Sequence, residues 1–115
     1  MSLTNYTPVR ICPSVHLTTT PTLLYTVPEA SYIKLSAATL TNTSPVSQNV
    51  TVHIVPKNFQ PATSNHIISG QSIASNTAYT ASEMANHTLL PGDMIYASAT
   101  TASTVNFIAS GVLFS

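Results

Sequence analysis

The residues able to carry chemistry are few and scattered. Four histidines, His16, His53, His66 and His87, are the candidate metal ligands. No two of them have the close spacing of a zinc pattern, and Cys12 has no second cysteine beside it, so no metal site is expected. Glu29, Glu83 and Asp93 are the full set of carboxylates, and each falls in a turn or cap. An acid–base pair would need two of them brought together. Serine and threonine abound, yet there is no Gly-x-Ser-x-Gly elbow, and the isolated Gly70, Gly92 and Gly111 make no phosphate-cradling loop. We therefore expect no enzyme: no catalytic residues, no cofactor and no metal. Tyr25, Tyr32, Tyr79 and Tyr96 could form a stacking platform for sugar rings, against the ordinary alternative of core-rim tyrosines with a wet hydroxyl. Four Asn-x-Ser/Thr triplets, beginning at Asn5, Asn42, Asn49 and Asn86, are expected chance matches in a hydroxyl-rich chain.

The elements that must position these residues are strands. In residues 89–114, Pro91 and Gly92 suit the corner positions of a type II turn, and Asp93 can cap it. Ile95, Ala97 and Ala99 then share one face, and Val105, Phe107 and Ala109 share one face of a return strand, which reads as a β-hairpin closed by the small residues 100–103. Upstream, residues 22–27, 32–43 and 50–55 read as strands. Ile33, Leu35 and Ala37 share a face that Leu40 leaves, so a bulge is expected near Ala37-Ala38. Val50, Val52 and Ile54 point inward, which puts His53 on the opposite, solvent or interface side. Residues 57–65 form the longest connection, the expected contact loop, with Phe59 in it. Short strands follow around Gly70 and at residues 77–80. Thr80-Ala81-Ser82-Glu83 has capping-box spacing before a single helical turn. About eight strands result, an all-β chain folded as a jelly-roll-like antiparallel β-sandwich spanning residues 22–115.

Residues 1–21 carry Pro8, Pro13 and Pro21 and show only two short alternations, Val9/Ile11 and Val15/Leu17. We read them as an extended N-terminal arm that pairs with a sheet edge, its own or a neighbour's, against the alternative of an ordinary first strand after a loose leader. Tyr6, Val9, Ile11, Val15 and Leu17 in the arm, and Phe59 in the loop, are the expected interface residues.

Composition narrows the function. Of 115 residues, 5% are charged and 43% hydrophobic, with zero net charge; ordinary soluble domains have about 25% charged residues. Three basic residues cannot meet a run of phosphates, so nucleic acid is not an expected partner. No apolar run reaches the roughly 18 residues of a membrane helix, and the N-terminus lacks secretory features, so synthesis in a cytoplasm is expected. Cys12 is expected as a reduced, packed thiol. A neutral exterior gives little colloidal repulsion, which suits a protein that ends inside an assembly.

Leu24-Tyr25-Thr26-Val27-Pro28, residues 32–43, Val50-Thr51-Val52-His53-Ile54-Val55-Pro56, Leu90-Pro91-Gly92-Asp93-Met94-Ile95, Val105-Asn106-Phe107 and Ser110-Gly111-Val112 together resemble a family of small virion proteins of tailed bacteriophages. The resemblance covers residues 22–114. It implies a β-sandwich subunit on the capsid surface that decorates or cements neighbouring copies of the major capsid protein and self-associates as a dimer or trimer. The alternatives it leaves are a neck, tail or fibre component; a glycan-binding host-attachment module comes from the tyrosines and the residue 57–65 loop.

Overall fold

The structure, a computed structural model, describes residues 6–114, leaving aside the side chains at 6, 12–15, 63 and 83. The described chain forms nine strands: β1 (Tyr6–His16), β2 (Thr22–Thr26), β3 (Tyr32–Asn42), β4 (Gln48–Val55), β5 (His66–Ile73), β6 (Ala78–Thr80), β7 (Thr88–Leu89), β8 (Met94–Ala99) and β9 (Val105–Phe114). Single 3₁₀ turns at Thr63–Asn65 and Ser82–Met84 are the described helical pieces. One sheet runs β1-β9-β3, with β6 and β7 sharing the far edge of β3; the other runs β2-β8-β4-β5. All the pairings are antiparallel.

First strand pairs with last, β2 with β8, β3 with β6 and β7, and β4 with β5. That nesting is one long hairpin rolled into two facing sheets, so the chain is an all-β jelly roll.

Strand alternation supplies the core. Ile95, Ala97 and Ala99 of β8 and Val105, Phe107 and Ala109 of β9 are buried, as their period-two pattern requires. They meet Val50 and Val52 of β4 and Ile33, Leu35, Ala38 and Leu40 of β3, with Phe107 the largest fully buried side chain. The phase change in β3 is a bulge, set between Leu35 and Ala37 in the register with β9. It lies one residue earlier than expected, so Ala37 is exposed and Ala38 takes its inward place.

Three expectations are corrected. The closing hairpin does not form: β8 and β9 lie in different sheets, and residues 100–104 step between them. Five residues can span the roughly 10 Å between packed sheets. The turn before β8 does form, with Asp93 N–H donating to the Leu90 carbonyl at 3.0 Å, Gly92 at φ 85° and Leu90 N–H bound to Asp93 Oδ2 at 2.9 Å.

Second, the arm takes the expected pairing with its own sheet, so the sandwich begins with β1 and not at residue 22. β1 pairs along β9 from Tyr6 opposite Phe114 to His16 opposite Asn106. Ile11 and Leu17 are 3% and 1% exposed in the core, so they are not free interface residues, and Val9 packs half-buried against them. Tyr6 and Val15 join the pairing through their backbones, and their side chains are outside those described. Third, the second 3₁₀ turn starts one residue later than expected, with Ala81 rather than Thr80 at its N-cap and no side-chain bond from that cap; the Glu83 side chain lies outside those described.

Polar residues hold the end of β3. Asn42 is fully buried, and its Nδ2 donates to the carbonyls of Val46 at 2.8 Å, Ile73 at 3.0 Å and Ala74 at 3.3 Å. Its Oδ1 accepts from Ser44 N–H at 2.9 Å and Ser44 Oγ at 2.8 Å. Asn42→Ala strands several buried partners at once, and chemical denaturation should show a loss of about 3 kcal/mol. Gly111 marks a close approach, since a Cβ there would sit 2.6 Å from the Lys34 carbonyl oxygen.

Candidate functional site

The topology gathers three connections at one end of the β2-β8-β4-β5 sheet: the turn after β2, the loop after β4 and the turn before β8. Val27 N–H donates to the Asp93 carbonyl at 2.9 Å and Gly92 N–H to the Val27 carbonyl at 3.0 Å, tying the first to the third. Lys57 Nζ meets Glu29 Oε1 at 3.0 Å, tying the first to the second. Both side chains are more than half exposed, at 54% and 68%, so this pair sets position and contributes under about 1 kcal/mol. The Lys57 stem covers Gly92, where an added Cβ would lie 2.6 Å from its Cδ.

Between these connections and the outer face of the sheet runs an open groove of about 520 Å³, lined by Thr26, Glu29, Lys57, Asn58, Phe59, Gln60, Gly92, Met94 and Tyr96. Met94 and Tyr96 stand opposite Val55 and His53 in the ladder, on the side away from the Ile95–Ala97 core face.

The loop is fixed by its own polar residues. Phe59 N–H donates to the Pro56 carbonyl at 3.0 Å, with Asn58 at φ 68°, and this turn leaves Phe59 62% exposed. Asn65 closes the rest: its Nδ2 donates to the Gln60 carbonyl at 2.9 Å and its Oδ1 accepts from Ala62 N–H at 3.0 Å. The same Oδ1 lies 2.8 Å from His53 Nδ1. Because Ala62 N–H fixes that atom as the oxygen, His53 carries a proton on Nδ1 and donates it.

His53 thus departs from expectation. It sits on the outer face, as its parity requires, but only 3% exposed because the loop covers it, with the His66 ring edge-on at 4.4 Å. His16 and His87 are exposed elsewhere, and among the described residues no three His, Cys, Asp or Glu side chains group as a metal site.

The four tyrosines do not share a platform. Tyr25 and Tyr79 pack against the core, and Tyr32 stacks on Phe114 with ring centroids 5.0 Å apart. Tyr96 alone of the four lines the groove, where Phe59 joins it. The sequence pointed to Phe59 and its loop; Glu29, Gly92 and Met94 arrive through topology, which local spacing does not reveal.

No protein-family model matches the chain, and no curated protein matches it. Among solved structures it is similar to a chain of the Bacillus endospore appendages, described as a novel family of disulfide-linked pili, with a TM-score of 0.58 and 11% identity over 96% of this chain and 88% of that one. A chain from the structure of infectious bursal disease virus Gx strain aligns with a TM-score of 0.38 and 9% identity, over 96% of this chain and 38% of that one. The pilus likeness is one of fold.

Two measurements follow from the site. Asn65→Ala should cost about 1–2 kcal/mol and speed amide exchange selectively in residues 58–64. Burial raises the Tyr25 phenol above its ordinary value. As pH climbs past the ordinary tyrosine value near 10, the unfolded chain ionises first, so stability is full below that point and falls from there up to the folded value. Tyr25→Phe should flatten that alkaline slope in melts taken across the range.

Proposed function

We propose that this chain is a non-enzymatic structural subunit of a virion, acting at the capsid surface as a decoration subunit that bridges neighbouring shell proteins. The observation that carries this is the surface itself. Leu23, Val46, Leu90 and Ile108 are 44–60% exposed on a chain that is 5% charged. Removing aliphatic groups and hydroxyls from water is much less costly than removing ammonium or carboxylate groups, so such a surface suits close packing against a partner.

The sheets offer a second means of attachment. β1 and β2 are edge strands on one side of the sandwich sheets, and β5 is the opposite edge of its sheet. A shell protein, or a second copy in a dimer or trimer, can add a strand there through main-chain hydrogen bonds. Residues 6–16 cannot reach out as an arm while they pair with β9; what they present is the free edge of β1. The resemblance to small virion proteins of tailed phages supports the capsid reading.

A second reading, a subunit of a surface fibre, is favoured by the fold shared with the pilus chain across nearly its whole length. Mixing the purified protein with undecorated tailed-phage shells and imaging them should give saturable binding in numbers set by the shell lattice. Filaments formed by the protein alone would support the fibre reading. A monomer that neither binds shells nor assembles would overturn both.

A further inference from the structure

We infer that the groove between Phe59 and Tyr96 is a binding site for a neutral saccharide, a function separate from the subunit's packing in an assembly. Three features of the groove point to this ligand.

The first is a ring held ready. Phe59 stands 62% exposed on a loop whose backbone is locked by the Pro56–Phe59 turn and by Asn65 against His53. An exposed aromatic ring on a loosely held loop would fold down onto the sheet; this one is held out beside a concavity, already in position and at little ordering cost on binding.

The second is polar chemistry of matching kind. Asn58 and Gln60 bring planar amides, and Glu29 and Lys57 bring an acceptor and a donor whose charges cancel at 3.0 Å. The Tyr96 hydroxyl contacts Met94 Sδ at 4.0 Å. Sulfur is a weak acceptor, so that hydroxyl has capacity left for a ligand hydroxyl. A sugar ring offers an apolar C–H face to the aromatic rings and a rim of hydroxyls to the amides and carboxylate.

The third is what the groove lacks. With Lys57 neutralised by Glu29 and no other charged side chain lining it, the groove holds no net charge to attract a phosphate, a sialic acid or an acidic peptide. Its volume of about 520 Å³ is within the range of small-ligand clefts and accommodates one or two sugar rings.

The test is an array of neutral and acidic glycans probed with the full chain, followed by titration of the hits, or of neutral hexoses and N-acetylhexosamines if the array is silent, while amide shifts of residues 57–60 and 94–96 are recorded. Neutral glycans should bind and move those amides. Phe59→Ala should weaken binding about ten-fold with an unchanged melting temperature, since the ring is largely exposed, and Tyr96→Phe should weaken it less. No binding by any neutral sugar, preference for acidic glycans, or binding that survives Phe59→Ala would overturn the site. So would shell binding lost in Phe59→Ala with sugars inert, which would make Phe59 a protein contact. Shell binding intact in that variant with sugars inert would overturn this site alone and leave the structural role standing.

Discussion

The step between β8 and β9 is the constraint on which the rest of the molecule depends. These two strands occupy interior positions, β8 between β2 and β4, β9 between β1 and β3. Each therefore carries hydrogen bonds on both edges, and their inward faces meet across the core. Had they paired with each other, each would have given up one of its two present neighbours. The crossing at residues 100–104 is held by uncharged groups: Asn49 N–H donates to Thr100 Oγ1 at 3.0 Å, Thr100 N–H to the Asn49 carbonyl at 2.9 Å, and Ser103 N–H to the Leu17 carbonyl at 3.0 Å. Leu17 is thereby seated against Val105, which pulls the end of β1 into the sandwich.

This explains which parts of the fold were legible. The inward sets, Ile95/Ala97/Ala99 and Val105/Phe107/Ala109, follow from side-chain alternation alone and stand as read. The choice of hydrogen-bond neighbour leaves no such mark, because both strands bury the same face whether they pair side by side or oppose each other across the core. The prolines of the first strand left it readable as an arm or as an ordinary strand. Pro8 stands opposite Val112 and Pro13 lies within a register shift of β1 against β9, positions that an edge strand tolerates because one side of its ladder is unpaired. At the candidate site the loop and Phe59 were visible as a break in pattern. The floor was not, since Met94 and Tyr96 face outward from a strand whose covering loop lies some thirty to forty residues earlier.

The hydroxyl-rich surface is an energetic choice as well as a compositional one. Hydroxyls on it are tied back to the chain: Thr77 Oγ1 donates to the Ala74 carbonyl at 2.7 Å, Thr104 Oγ1 to the Thr101 carbonyl at 2.7 Å and Ser44 Oγ to Asn42 Oδ1 at 2.8 Å. A hydroxyl that already donates within its own chain gives up less water when a partner covers it, whereas a lysine or glutamate would give up its full hydration shell. Attraction across such a face also contains little Coulomb energy, so salt has little to screen. Contact with the proposed partner would instead come from shape, from apolar points such as Leu23, Val46 and Ile108, which are exposed, and from main-chain groups at the open edges. These forces are weak per copy and act at short range, and they give firm attachment only where many copies or several edges engage together. On the proposed reading a partner surface that repeats meets that requirement, while the groove at the loop end stays polar and concave.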